Sequence, residues 1–357
     1  MLRCWHTIKN NKLHKCFIVD VKKSFNKTFD FSNCLVGDIS KNIGIIKKLL
    51  ESQDKVIIAN YKRHCRHLGS VDTVVYDVPY DDVELILKSE PELWHKVRAE
   101  AAEVYQIVEN RGVYVGYKNY YPMYEMDVFS GRSRTTGFSV QGCDNSYPIQ
   151  HPHKPYSCFI SFDWISADAR IGGIISGDEL LLSTFKSHDP YYYIAEQLGD
   201  INARELCKIE FNRAVNGLDD ANEILNIFPK YKKWISGKIL ELRANGHIES
   251  ILGRKFYSDG SEKGYRRAFN SMFQGSVAHA MHCSVKKIYD KFGDIMLTEQ
   301  HDSLVVCISV DMLPSVVPEI SEIMYRPFSG ILENVTMPLR IEIGKSWNNY
   351  KPYKEIR

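Results

Sequence analysis

The sequence predicts an α+β protein with a small α/β unit at its N-terminus. Three observations predict it. Long helical patterns occupy residues 90–112, 202–247 and 262–292. Apolar β-runs occupy 156–163, both flanks of His301-Asp302, and the stretch "PLRIEIGKSW" near the C-terminus. Residues 1–90 carry short β-runs around a helical stretch.

In chain order, "CFIVDV", "KVIIANY" and "DTVVYDV" read as strands and "GIIKKLLES" as a helix, which makes residues 1–90 an α/β unit. Residues 90–112 form an amphipathic helix in which Leu93, Val97, Ala101, Val104 and Ile107 share a stripe and Gly112 stops the helix. Residues 116–150, rich in Tyr, Gly and Ser, read as loops with short strands. "YSCFISFD" is a β-run that ends on Asp163, and a helix follows through "ISADARIGGII". Residues 202–247 are mostly helical, and 262–292 is one long helix in which Phe269 and Phe273 face the core. A strand pair meets at His301-Asp302.

A chain of 357 residues is long enough for two or three domains, and 44% apolar with 25% charged residues excludes general disorder. No apolar run is long enough to span a bilayer, and the first 19 residues lack the apolar core of a secretory signal. The 9 cysteines are scattered with no C-x-x-C pair, which suggests reduced thiols in a cytosol-like compartment. Net charge is only +2, but residues 1–30 hold 7 Lys/Arg against 2 Asp/Glu, and residues 201–270 hold 13 against 9. Such runs suit a solvated face as well as an anionic partner. "KRHCRH" and the His279, His282, Cys283 group lack a second ligand pair and read as surface or core rather than zinc sites.

His-Asp-Ser is poor turn chemistry, so the tip at 301–303 asks for another reason. If the strands ending at Asp163 and beginning after Asp302 are neighbours, both carboxylates project from one sheet edge. Such a pair resists double ionisation unless a cation joins it. Mg²⁺ takes oxygen ligands, often one or two carboxylates with substrate phosphates, and two such ions clamp a phosphoryl transfer. A turn-forming Asp is the plainer alternative for each position. Arg204, Lys208, Asn212 and Asn216 step by four along one helix face, as do Arg266, Asn270 and Gln274 along another. The first face suits a triphosphate, the second the donors and acceptors of a duplex, and both also suit plain solvent exposure.

Over residues 118–357 the combination resembles the family A DNA polymerases. "SFDWISADARIGGIISGDELLLSTF", "ARELCKIEFNRAVNG", "RRAFNSMFQGSVAHAM", "EQHDSLVV", "DVFSGRSRTTGFSVQG" and "MPLRIEIGKSW" are similar to that family's motifs, in its order. The resemblance implies a palm built on an antiparallel sheet, helical fingers, and template-directed addition of dNTPs to a primer. It implies that Asp163 and Asp302 hold two Mg²⁺ ions and that Arg204 and Lys208 bind the triphosphate. Lys208 would also protonate the leaving pyrophosphate, and Asp168, Asn212 and Asn216 would line the nucleotide site. Arg132, Gln141, Arg266, Asn270, Gln274 and His301 would contact primer-template DNA. The implied division is an N-terminal unit at 1–90, a connecting helix and reduced thumb region at 91–130, palm at 131–188, fingers at 189–265, and palm again at 266–357.

The sequence departs from the family at several of these positions. Asp168 stands for a Glu that helps exclude ribose, Asn212 for an aromatic, Asn216 for a Tyr, and Ser303 for a Glu. Only 18 residues, 113–130, separate the 90–112 helix from Gly131-Arg132, and as one helix they would span about 27 Å, too short for a helical thumb hairpin. "FIVDVKKS" has Asp20 where a D-x-E motif would begin but Lys22 in place of its second acid, so no proofreading is expected. The expected chain is a polymerase of low processivity, in the cytoplasm of a bacterial or virus-infected cell, with room for a partner that substitutes for the thumb. The rivals are a catalytically weakened nucleic-acid-binding subunit and a template-independent or ribonucleotide-adding transferase.

Overall fold

The computed structural model describes residues 2–9, 12–20, 35–37, 55–59, 74–78, 93–126, 129–143, 146–153, 158–186, 189–347 and 349–353, with side chains from residue 93 onward. The helix read at "GIIKKLLES", Lys22 and "KRHCRH" lie outside those residues. The fold is α+β and has two compact units: residues 1–112 with 120–128 and 133–140, and residues 113–119 with 129–132 and 141–357.

The first unit holds a five-stranded sheet of β1 (Leu2–Lys9), β2 (Lys12–Asp20), β3 (Leu35–Gly37), β4 (Lys55–Ala59) and β5 (Val74–Val78), in the order β3-β2-β1-β4-β5. Pairing is antiparallel from β3 to β1 and parallel from β1 to β5. The three expected strands are present; β1, which forms a hairpin with β2, and the three-residue β3 are additional to them. Helix α1 (Leu93–Arg111) buries Trp94, Val97, Ala101, Val104, Tyr105 and Val108. The buried stripe is therefore rotated from the expected one. Leu93 is 41% exposed, while Trp94 and Tyr105, whose large rings gain most from burial, take the inner face. Gly112 ends the helix at φ 75, its N–H donating to the Val108 carbonyl at 2.8 Å.

Between α1 and Gly131 the described residues form short strands and turns: β6 (Val113–Val115), β7 (Lys118–Tyr120) and β8 (Pro122–Glu125). No helix lies among them. β8 pairs with β9 (Arg134–Gly137), and β6 with β10 (Ile149–Gln150).

The second unit is organised by an antiparallel sheet whose middle strand is β11 (Cys158–Trp164). Its sequence, CFISFDW, is apolar or small up to Asp163, and every residue before Asp163 is buried. Helix α2 (Ala167–Ser176) follows, then α3 (Glu179–Thr184), α4 (Pro190–Gln197), α5 (Arg204–Gly217) and α6 (Pro229–Asn245). Short strands β12 (His247–Glu249) and β13 (Lys255–Tyr257) form a hairpin. Helix α7 (Glu262–Phe292) is buried on almost all sides from Ser271 to Val285, as befits the central helix of a unit. Phe269 and Phe273 are in the core as expected.

The chain returns through β14 (Met296–Gln300), β15 (Ser303–Ile308), α8 (Leu313–Tyr325), β16 (Leu339–Gly344) and β17 (Lys351–Pro352). Sheet order is β14-β15-β11-β16-β17, antiparallel throughout. Trp164 Nε1 donates to the Met324 carbonyl at 2.9 Å, which fixes the end of β11 under α8. Cys143, Cys158, Cys207, Cys283 and Cys307 are all buried. No helix among the described residues is long and apolar enough to cross a membrane.

Gly275 has a packing reason. A Cβ there would lie 2.5 Å from Phe256 Cζ and 3.1 Å from the Ser130 carbonyl oxygen. Its absence lets the 129–132 segment cross α7 closely. Gly131 turns that segment at φ 82, and Arg254, stacked on Phe256 and donating to the Phe129 carbonyl, packs against it. Phe256 is buried and cannot swing away cheaply. Gly275→Ala should therefore cost about 1–3 kcal/mol, measured as a lower midpoint in thermal unfolding; an unchanged midpoint would contradict this packing.

Candidate active site at the edge of the antiparallel sheet

Asp163 is the last-but-one residue of the middle strand, and its cross-strand neighbours are Ser303 on β15 and Arg340 on β16. Asp302 immediately precedes Ser303, and the Trp164 N–H donates to the Asp302 carbonyl at 3.1 Å. The two carboxylates thus belong to one sheet edge. Burial raises the Asp163 pKa, the Asp302 charge adds to the rise, and Arg340 opposes it. Arg340 forms an ion pair with Asp163 and is 62% exposed itself, with Glu342 Oε2 at 4.0 Å from its Nε.

The hairpin tip is strained. His301 sits at φ 67, a left-handed conformation that non-glycine residues rarely adopt. Its N–H donates to Glu299 Oε2 at 3.1 Å. Partial desolvation lowers the imidazole pKa and the nearby Arg132 lowers it further, against the pull of Asp302. Glu299 is 2% exposed, and its other oxygen accepts from Gln141 Nε2 at 2.9 Å. Burial pushes the Glu299 pKa up to about 8, despite these donors and Arg132.

Asp168, one residue into α2, lies with Oδ1 3.5 Å from Arg132 Nη2. That oxygen is enclosed and has no hydrogen-bond partner, although the side chain as a whole is 44% exposed. Enclosure raises its pKa more than Arg132 lowers it. The Tyr191 hydroxyl, buried on α4, hydrogen-bonds to Asn212 Oδ1 at 3.4 Å, and burial raises its pKa, with the Asp168 charge adding to the rise. An aromatic ring from α4 therefore stands beside Asn212, packed edge-on against Phe211 of α5 at 5.8 Å.

Helix α5 presents its step-of-four residues away from the core. Cys207, Phe211, Ala214 and Val215 are buried, whereas Lys208 and Asn216 are exposed. Arg204 is engaged already. Its fork closes on Asp189, Nε donating at 3.0 Å, and it also pairs with Glu205. Asp189 is the N-cap of α4, accepting from the Tyr191 and Tyr192 N–H groups at 3.0 and 2.9 Å. Its buried carboxylate thus needs a cation, and Arg204 supplies one. On α7, Arg266 is exposed while Asn270 and Gln274 are half-buried, and Asn270 Oδ1 is enclosed without a hydrogen-bond partner.

The structure thus brings Asp163 to Asp302, Arg132 to Asp168, and Gln141 to the His301 tip. Among the described residues, no hydrogen bond or ion pair joins Lys208, Asn216, Arg266 or Gln274 to the carboxylates. Also among the described residues, no three His, Cys, Asp or Glu side chains gather as a ready-made metal site. His279, His282 and Cys283 are buried on α7, in keeping with the core reading. Sequence reasoning missed Glu299, Arg340 and Asp189. Glu299 carried a signal, an acid inside an otherwise apolar β-run; Arg340 and Asp189 carried none, since their partners are 177 and 15 residues away.

Comparison with known proteins agrees with this architecture. Residues 219–349 match the family model described as DNA polymerase family A. The thermostable DNA polymerase I of Thermus aquaticus is 29% identical over 140 residues, 35% of this chain and 16% of that protein. DNA polymerase I of Borreliella burgdorferi is 26% identical over 239 residues, 56% of this chain and 26% of that protein. Among solved structures, the polymerase domain of Pol1 from M. smegmatis, in complex with DNA primer-template and dNTP, superimposes with a TM-score of 0.58. It does so at 16% identity, covering 71% of this chain and 52% of that one. The chain spans about a quarter or less of the length of the curated relatives named here. The fold is that of a polymerase domain. Within that fold, the sequence over residues 219–349 is similar to the family A DNA polymerases.

The raised pKa of Glu299 makes a stability prediction. An unfolded Glu titrates near 4.3. Between there and about pH 8 the folded chain holds a proton that the unfolded chain has lost. Stability therefore falls as pH rises through that window, and above it the full cost of a buried charge is present. Glu299→Gln carries no such cost. Its unfolding free energy relative to wild type should rise from pH 4 to pH 8 and then level off, by up to about 5 kcal/mol. A pH-independent difference would show that Glu299 titrates normally.

Proposed function

We propose that the chain is a template-directed DNA polymerase that adds dNTPs to a primer 3′ end. The observation that carries this reading is the convergence of Asp163 and Asp302 on one edge of an antiparallel sheet with the fold of a polymerase domain. The pair fits the Mg²⁺ expected of such a site. The donors are two carboxylates, hard oxygen ligands, and Asp302 raises the proton affinity of Asp163, so the edge is short of positive charge. Two ions bound there supply charge stabilisation for the attacking and leaving oxygens of a phosphoryl transfer.

The chain's own residues have the remaining roles. Asp163 must exchange Arg340 for a metal ligand role, so Arg340 keeps the carboxylate oriented and neutralised in the resting protein. Lys208, exposed on α5, is the cation offered to the triphosphate and the donor to the leaving pyrophosphate. Arg204 joins it by giving up part of its hold on Asp189; otherwise it serves the α4–α5 junction alone. Asp168, Asn212 and Asn216 line the nucleotide side, with Tyr191 beside Asn212. Asp168 ends about one C–C bond, ~1.5 Å, short of a Glu and leans on Arg132, which supports weak exclusion of ribose. Arg132, Gln141, His301, Arg266, Asn270 and Gln274 form the primer-template side.

Low processivity is supported by the described residues 113–126, which form strands and turns where a helical hairpin would stand. A partner protein that grips the duplex is the counterpart of that reading. Absence of proofreading rests on Lys22 in the position of an acid. Two observations favour a second reading, a nucleic-acid-binding subunit without activity: Arg340 neutralises Asp163, and Asp189 occupies Arg204.

Primer extension with Mg²⁺ decides between them. The wild-type chain should extend a primer only on a template, accept rNTPs at a measurable rate beside dNTPs, and lose at least about 10³-fold in rate in Asp163→Ala or Asp302→Ala. No extension would favour the silent subunit, and extension of single strands without a template would favour a template-independent transferase.

A further inference from the structure

Glu299 stands at the centre of contacts that the polymerase chemistry does not use. Its side chain is almost fully buried at the end of β14. One carboxylate oxygen accepts from the Gln141 amide at 2.9 Å, and the other accepts from the His301 backbone N–H at 3.1 Å. Gln300 Nε2 closes the loop by donating to the Gln141 carbonyl at 3.3 Å. Arg132 is close enough for its charge to act on both Glu299 and His301.

One carboxyl therefore links three groups from separate stretches: the 131–132 turn, Gln141, and the strained tip at 301. Each link answers a cost. The His301 N–H, in a left-handed residue, needs an acceptor that the hairpin ladder does not supply. The Gln141 side-chain amide donates to the other oxygen, and that bond fixes which way its NH₂ group faces. A neutral apolar residue at 299 would fill the space and remove the acceptor from both of these bonds.

We propose that Glu299 is a positioning residue for primer-template binding, acting through Gln141 and the His301 backbone. This rests on the reading of Gln141 and His301 as primer-template contacts. Glu299 touches no nucleic acid itself; it fixes the orientation of those that do.

The test is a double-mutant cycle on the full chain. Affinity for a fluorescently labelled primer-template is measured by anisotropy in EDTA, so that neither catalysis nor metal enters. Gln141→Ala and Glu299→Leu should each weaken binding about 5- to 10-fold, and the double variant no more than the weaker single one. Glu299→Gln, which keeps one acceptor oxygen and the shape, should weaken binding less than Glu299→Leu. Unfolding midpoints separate this coupling from a loss of fold, and if Glu299→Leu fails to fold, the cycle is run with Glu299→Gln. Independent, multiplying losses would overturn the proposal, as would a Glu299→Leu chain that binds at wild-type strength while Gln141→Ala is impaired. If Gln141→Ala binds like wild type, the assignment of Gln141 to the primer-template side fails first, and this inference falls with it.

Discussion

The repulsion between Asp163 and Asp302 is the constraint around which the second unit is arranged. Antiparallel pairing of β11 with β15 sets Asp163 opposite Ser303, and Asp302 is near enough for its charge to act on Asp163. The strands themselves are held by burial of nearly every residue of β11 and β15. At roughly 25 cal/mol per Å² of apolar surface, that packing outweighs the cost of one crowded pair. Charge at the edge is then balanced locally. Arg340 comes from β16 on one side, and Arg132, from a turn that crosses α7 above Gly275, lies beside Asp168 and close to Glu299.

Arg340 and Arg132 differ in what they imply. Arg340 is mostly solvent-exposed, so its ion pair with Asp163 is screened and exchangeable. Such a contact suits a counter-ion that leaves when a better one arrives. Glu299 is enclosed and tied by hydrogen bonds on both oxygens, so it cannot exchange. The site therefore has a fixed inner part, built on Glu299 and the His301 tip, and an adjustable outer part at Asp163. The Tyr191 hydroxyl, bonded to Asn212, extends the fixed part to α4 and α5.

Much of this was legible in the sequence because it depends on local pattern. The β-run ending on Asp163, the hairpin at 301–302, the step-of-four faces of α5 and α7 and the glycine stop at 112 all follow from spacing along one element. The motif order then pointed to the family. What stayed hidden depends on which strands meet. Arg340 is an ordinary surface Arg until the register puts it opposite Asp163. Asp189 is an ordinary N-cap until Arg204 folds back onto it. The α1 stripe was read one position off because periodicity alone does not rank Trp94 and Tyr105 above Leu93 and Ile107. Strand β1 is interrupted by Arg3, His6 and Lys9, which blurs its apolar alternation, and β3 has only three residues to carry a pattern.

The central claim is that Asp163 and Asp302 act as one ligand set. Binding of Mn²⁺, followed by its electron paramagnetic resonance signal in the presence of primer-template and a non-reactive dNTP analogue, tests it most directly. Wild-type protein should take up the ion, and Asp163→Asn and Asp302→Asn should each lose at least about tenfold in affinity, with the double variant little worse than either alone. Undiminished uptake by both single variants would show that the two carboxylates do not share a cation, and the account would fail.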